Sequence, residues 1–496
     1  MRKILYFMLC MGLFTPIFAK ENLPRTIVTT DGEIDDVDTF IRMLLYSNEF
    51  HLEGLIYSSS MWHYQGDGKG TLFTSEMEMT KKMYGAKTDL RWPGVNWIQD
   101  LLKAYGEVYP KLSQHSKNYP MPAYLQSLVK VGNIDFEGEM DQITPGSEWI
   151  KEKLLDHNPD AIFLQAWGGT NTIARALKSI EETYSKQKDW PNIQEKISKK
   201  AIIYTVMDQD ATYKKYIGLH WPKIRVFYNA HQFGSFAYPW KRIMPKTAQP
   251  YFEGPYMAKN IILNHGPLLK MYYAYGDGQK QAGDDEHIHG DPNKLKNAQW
   301  GSFVPYDFIS EGDSPAFLHL VEVGLNNLHN PTYGGWGGRF AQAKDNPYRY
   351  EDNEEAADFN PELGKLDINY AQTRWLIALQ QDFAARADWC IKDFKEANHA
   401  PQITVRQGMK VYAKAGQNIT LTLFALDPDK NAVAFSAWPY KEAGSGAADI
   451  QISGDKALVK IPETSKTGET YHVIIEGKDN GTPSLTGYRR VVVHIL

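Results

Sequence analysis

The stretch VTTDGEIDDVD, residues 28–38, packs five carboxylates into eleven residues. It follows the apolar run RTIV and leads into VDTFIRMLL, which has helical spacing. Asp31 therefore falls at the end of an expected strand, and Asp35 and Asp36 at or just inside an expected helix start. The positive end of a helix dipole tolerates one or two carboxylates, but it does not explain five on one turn. Two accounts stay open: a capping cluster on a surface turn, or convergence on a hard cation. Calcium takes about six to eight oxygen ligands and suits such a cluster.

Two more stretches carry candidate chemistry. FLQAWGGTNTIARAL ends a strand at Gly168–Gly169 and starts a helix at Thr170–Asn171. ISEGDSPAFLHL places Asp313 at another helix start, after Glu311 and Gly312. In an open α/β sheet, ligands bind beyond the C-terminal ends of the strands, and Asp31 sits at such an end. Asn229 and His231 in FYNAHQF end a further strand, and either line the same pocket or form a turn. Trp62 and His63 follow the second strand and could contact a sugar. Trp167 is read as pocket wall or core. Arg339 in GGWGGRF is read as structural. His287 and His289 in EHIHG have metal-like spacing, but the hydrophilic stretch around them suggests solvated side chains.

The elements that must position these residues are legible. RTIVTT, LEGLIYSS, DAIFLQAW, KAIIYTV and KIRVFYNA are near-continuous apolar runs, as expected of a sheet covered on both faces. DDVDTFIRMLLYSN and TNTIARALKSIEETYSK alternate with them at helical spacing. The pattern predicts an α/β domain with an open, mostly parallel sheet over residues 20–366. Residues 60–130 read as long loops with short helices. A helical linker is expected over 367–400. After Pro401 short alternating strands separated by turns predict an immunoglobulin- or cadherin-like β-sandwich over 401–496. Asp427, Asp429 and Asp479 in it are read as turn chemistry, and Trp438 and Tyr440 as its aromatic contacts if it binds polysaccharide.

Composition narrows the function classes. A net charge of −5 with dispersed cations speaks against nucleic acid and anionic membrane partners. The 13 Trp and 29 Tyr are packing residues or sugar-stacking platforms. Residues 1–19 have the charged start, apolar run and small-residue end of a secretory signal, too short to span a membrane. The expectation is export to the periplasm or medium with no membrane anchor. Cys390 alone would remain, so no internal disulfide is expected.

The acidic turn, the Thr170–Asn171 helix start and Asp313, in that order, resemble the nucleoside hydrolase superfamily. Thr29, Asp31, Gly32, Glu33, Ile34, Asp35 and Asp36 align with its first-strand acidic motif. With SEGDSPAFL, GGWGGRF and DFAARADWC, the whole mature chain is similar to bacterial "cellulose-binding" proteins that join such a domain to a β-sandwich. The resemblance implies calcium held by Asp31, Asp36, Asp313 and the carbonyl of Thr170. It implies that Asp31 takes a proton from the attacking water and that Asp35 bonds sugar hydroxyls. Asn171, Trp62, His63, Asn229 and His231 complete the expected substrate contacts.

The departures are informative. Thr29 replaces an aspartate, Gly312 stands where a leaving-group histidine is found, and SSSMWHYQGDG lacks the ribose asparagine. These point away from nucleosides and leave Glu311 and Glu33 as candidate acids. The expectation is an exported, calcium-dependent hydrolase of glycosidic bonds in a plant-type glycan or oligosaccharide. A non-catalytic carbohydrate-binding protein and an exported nucleoside hydrolase are the alternatives. The oligomeric state is not legible.

Overall fold

A computed structural model describes residues 23–283 and 289–496. The expected signal peptide and His287 lie outside the described residues. Eight strands form one sheet: β1 (Arg25–Thr30), β2 (His51–Tyr57), β3 (Val129–Val131), β4 (Ile162–Ala166), β5 (Ala201–Val206), β6 (Arg225–Asn229), β7 (Ala341–Gln342) and β8 (Arg349–Glu351). Their order is β3-β2-β1-β4-β5-β6-β8-β7, parallel except for the terminal β8–β7 pair. β1 is buried along its whole length because β2 and β4 flank it and helices cover both faces. This is why its sequence does not alternate.

The helices that matter for the site are α1 (Ile34–Leu45), α2 (Trp97–His115), α3 (Asn171–Tyr184), α4 (Ser314–Leu318) and α5 (Leu376–Trp389). α2 spans 19 residues where long loops were expected. Gly106 and Pro110 interrupt its sequence pattern, yet Leu101, Leu102, Tyr105, Val108 and Leu112 form its buried face. The expected helical linker is corrected too. Helix α5 does not link: Leu376, Leu379 and Phe383 are fully buried in the main α/β core. Arg386 on α5 reaches back to the Leu45 carbonyl and the Glu49 carboxylate.

The C-terminal strands are β9 (Gln402–Val405), β10 (Lys410–Ala413), β11 (Asn418–Leu426), β12 (Val433–Pro439), β13 (Asp449–Ser453), β14 (Lys456–Lys460), β15 (Thr470–Asp479) and β16 (Thr486–Ile495). They form two four-stranded sheets, β9-β11-β14-β13 and β10-β16-β15-β12, enclosing a separate apolar core. Asp427 Oδ1 accepts from the amides of Asp429 and Asn431, and Asp479 Oδ1 from those of Gly481 and Leu485. Their turn role is thereby explained.

Tyr440 and Trp438 occupy the seam with the α/β domain instead of facing a ligand. Tyr440 is fully buried, and its hydroxyl donates to Asp358 Oδ2 at 2.6 Å. Trp438 packs 5.8 Å from the Trp375 ring and donates to Glu476. Cys390 is buried and free. No helix among the described residues is long and apolar enough to cross a membrane.

Candidate active site

The acidic turn lies at the C-terminal edge of the sheet, where β1 stops pairing. The Trp167 amide donates to the Thr29 carbonyl and the Ser58 amide to the Thr30 carbonyl, fixing the turn between its neighbours. Gly32 then takes φ +80°, a conformation that suits glycine. A Cβ there would also strike Pro93 and Trp97. Glu33 occupies the N-cap position of α1, and Asp35 and Asp36 its first turn. Asp313 occupies the same position on α4. Two helix starts thus aim at one point.

Asp35, Asp36 and Asp313 offer carboxylate oxygens that all lie within 4.8 Å of one another. Burial pushes Asp36 well above its usual value, and the charges of Asp31, Asp313 and Asp35 add to this. Asp313 is raised in the same way by burial, Asp35, Asp31 and Glu33. Asp35 is raised by burial, Glu33 and Asp31. Asp31 differs. Burial pushes it up, but His63, Ser60 and Asp36 outweigh that and hold it below the ordinary carboxylate value. His63 Nδ1 stands 3.6 Å from Asp31 Oδ2 and 3.9 Å from a Glu33 oxygen. Asp31 Oδ2 is buried without a hydrogen-bond partner. An all-oxygen donor set with crowded charge and an orphaned buried oxygen fits a hard cation.

Small residues set these distances. A Cβ on Gly168 would fall 2.8 Å from Asp31 Cγ, and one on Gly312 would fall 2.7 Å from Asp35 Oδ2. Thr30 donates its hydroxyl to Asp36. Thr29, where an aspartate was the family expectation, donates to the Gln165 carbonyl. Asp38 is outside the cluster: its Oδ1 accepts from the Tyr273 amide at 2.8 Å, anchoring a distant loop.

The cluster opens into a cavity of about 340 Å³ lined by Asp31, Glu33, Asp35, Asp36 and Asp313 on one side. Glu33 faces this cavity, and the Tyr238 hydroxyl donates to it at 2.9 Å. Trp62 and Trp167 line the cavity as well.

Four expected site residues are elsewhere. Glu311 is fully buried in an ion pair with Arg42, supported by the hydroxyls of Tyr272 and Ser314. It orders the core and does not reach the cavity. Asn171 spends its amide on Ser59 and the carbonyls of Asn133 and Glu139, and its oxygen on Ser58. Asn229 bridges the Tyr204 hydroxyl and the Phe233 amide. His231 is exposed beside Asp352, which caps that turn.

The Thr170 carbonyl accepts from the Ala174 amide as the first bond of α3, which leaves its second lone pair for a ligand, and its hydroxyl pairs with Thr212. Asp35 joins Asp36 and Asp313 in the tight carboxylate group, and Asp31 stands beside it against Asp36 and His63. His289, expected in solvent, is buried and stacks on Tyr238 at 5.5 Å.

Several cavity residues escaped the sequence reading. Tyr238 and Trp300 stack at 6.3 Å along one wall, and Met79, Met83, Arg91 and Met207 complete it. Met207 has φ +60° and Arg91 φ +45°. Non-glycine residues in that region are uncommon and cluster at functional sites. Sequence alone carries no signal for such strain.

Fold and site together define a nucleoside hydrolase-like α/β domain that carries a C-terminal β-sandwich. The chain belongs to the family described as cellulose-binding Sde182, nucleoside hydrolase-like domain, which matches residues 25–340. The C-terminal domain of cellulose-binding protein Sde0182 matches residues 418–495. Among solved structures, a nucleoside hydrolase-related hypothetical protein from Saccharophagus degradans, associated with carbohydrate metabolism, is 25% identical with a TM-score of 0.70. That match covers 96% of this chain and 100% of the other. The plant nucleoside hydrolase PpNRh1 is 10% identical, with a TM-score of 0.31 over 72% of this chain and 99% of that one. It is too distant to bear on the chemistry. No curated protein matches.

Proposed function

We propose that the cavity hydrolyses glycosidic bonds of an exported protein's carbohydrate substrate, with calcium as resident cofactor. The observation that carries this reading is the arrangement of the acids. Asp35, Asp36 and Asp313 offer oxygens within 4.8 Å of one another, and Asp31 lines the same cavity with a buried oxygen that has no hydrogen-bond partner. Carboxylates crowded in this way suit a hard cation with a carboxylate base at its edge.

Asp31 is the base that accepts a proton from the attacking water. His63 Nδ1 stands 3.6 Å from Asp31 Oδ2 and favours its ionised form. Glu33, oriented by Tyr238 at the cavity wall, is the candidate donor to the leaving oxygen. Its position replaces Glu311, which is committed to Arg42. Asp35, Asp36 and Asp313 would hold the cation, with Asp31 beside them. Bound there, calcium would supply fixed positive charge that offsets the crowded carboxylates and favours charge development at the reacting centre.

The family description favours a second reading, a carbohydrate-binding protein without catalysis. One experiment separates the two. Calcium content and hydrolysis of a glycan and nucleoside panel are measured on native protein and on Asp31→Asn. Stoichiometric calcium with activity lost in the variant supports hydrolysis. Sugar binding without turnover in either protein supports the binder. Release of free base from inosine or uridine would favour the nucleoside alternative.

A further inference from the structure

A second cavity, of about 260 Å³, lies beside the acidic turn and shares no lining residue with the acid-lined one. Its walls come from α1, from the approach to α2 and its first turns, and from residues 271–282. Two of its side chains are tied to Gly32. Gln281 is buried, and its Nε2 donates to the Gly32 carbonyl at 2.7 Å. The Trp97 indole nitrogen stands so close that a Cβ on Gly32 would fall 2.8 Å from it. Trp97 itself is held edge-on to Phe40 and Tyr57, with ring centroids 5.5 and 5.7 Å away.

Each of these two side chains keeps a buried polar atom without a hydrogen-bond partner among the described residues, Trp97 Nε1 and Gln281 Oε1. The bond to Gly32 fixes the Gln281 amide, so its free atom is the oxygen, an acceptor, while the indole can only donate. Leaving both unpaired in the interior is costly. A cation would face the indole N–H, and an anion would face the amide oxygen and Asp100. A hydroxyl, or two on neighbouring carbons of one sugar, serves both atoms by accepting from Trp97 and donating to Gln281. The rest of the wall suits a ring that carries such hydroxyls. Val37, Leu101 and Met271 offer aliphatic surface to its C–H face, and Asn96 and Asp100 stand exposed at the rim for hydroxyls that point outward.

We propose that this cavity is a sugar-binding site separate from the acid-lined one, and that it takes one neutral monosaccharide ring whose hydroxyls bond Trp97 Nε1 and Gln281 Oε1. The size agrees with a single ring, since sites for drug-sized ligands begin at about 300 Å³. The site goes beyond the hydrolase reading and does not rest on it.

The test uses the full chain labelled with nitrogen-15. Its indole N–H signals are followed by NMR while D-glucose, D-galactose, D-xylose and L-arabinose are added in separate titrations. Trp97→Phe assigns the Trp97 signal by removing it. At least one of the sugars is expected to move that signal saturably. Ala282→Leu narrows the cavity from an exposed position on its wall, where the core is not disturbed, and is expected to weaken that binding about fivefold or more. Failure of all four sugars to move the signal would overturn the proposal and leave water as the partner of the two atoms. Unchanged affinity in Ala282→Leu would overturn it as well, and so would movement by N-acetylglycinamide, a peptide donor and acceptor, in place of the sugars. The signal reads neither turnover nor calcium, so failure of the hydrolase reading would leave this result standing.

Discussion

At the scale of single residues, the acidic turn is a place where fold stability is spent on a site. Asp36 and Asp313 are buried and mutually repelling, so removing either charge relieves the apo protein. We expect Asp36→Asn and Asp313→Asn each to raise the apo melting temperature, by about 1 °C for each kcal/mol of relieved repulsion in a chain of this length. Added calcium should raise the native melting temperature further, since a ligand of the folded state alone stabilises it. That increment should vanish in both variants and on chelation, which differential scanning calorimetry reads directly. Glu311 predicts the opposite behaviour. Its loss leaves the fully buried Arg42 guanidinium without its ion-pair partner. Glu311→Gln is expected to cost about 3–5 kcal/mol in urea unfolding, with activity per folded molecule preserved. An inactive but stable variant would restore Glu311 to the catalytic set.

At the scale of elements, the site depends on how closely strand ends approach one another. Gly168 follows β4 directly against Asp31, where an added Cβ would fall only 2.8 Å from Asp31 Cβ and Cγ. Gly168→Ala must push the Asp31 carboxyl away, because the backbone on both sides is paired in the sheet. We expect activity to fall by about 10²-fold or more, the range of a displaced acid–base group, while circular dichroism shows an intact fold. Near-native activity would mean that Asp31 is not the base. The same elements show what a sequence can reveal. The five apolar strands and α1 were legible because burial on both faces leaves an unbroken apolar run. The acidic turn and Asp313 were legible because charge does not crowd a strand end without cause. Asn171, Asn229 and Glu311 misled because they sit at the right strand and helix ends. Their partners lie far away in sequence, as with Arg42 and Glu311, 269 residues apart. Trp62 and Trp167 were legible beside strand ends, but Tyr238, Trp300, Met79 and Met83 were not, because their segments converge on the cavity only in three dimensions.

At the scale of the whole molecule, the sandwich is welded to the α/β domain by a buried cation. Arg490 on β16 donates to the carbonyls of Leu325, Tyr333 and Gly334 in the other domain. Its remaining guanidinium nitrogen lies 3.0 Å from His472 Nδ1. A guanidinium only donates, so His472 must accept and remain neutral. Burial and the charges of Arg490 and His494 accordingly lower His472 from 6.5 to about 3. The sign of the pH effect follows. Below pH 6.5 the unfolded chain takes up a proton that the folded seam refuses until about pH 3. This contribution to stability is therefore complete above pH 6.5 and declines as the pH falls toward 3. Its slope is at most about 1.4 kcal/mol per pH unit. The acidic turn works in the opposite direction, since acid neutralises its repelling carboxyls, so the native protein alone would mix the two effects. His472→Gln separates them, because an amide oxygen can accept from Arg490 and does not titrate. Urea midpoints measured with chelator at pH 7 and pH 5 should fall less in the variant than in the native protein. Equal losses in the two would show that the seam does not sense acid through His472.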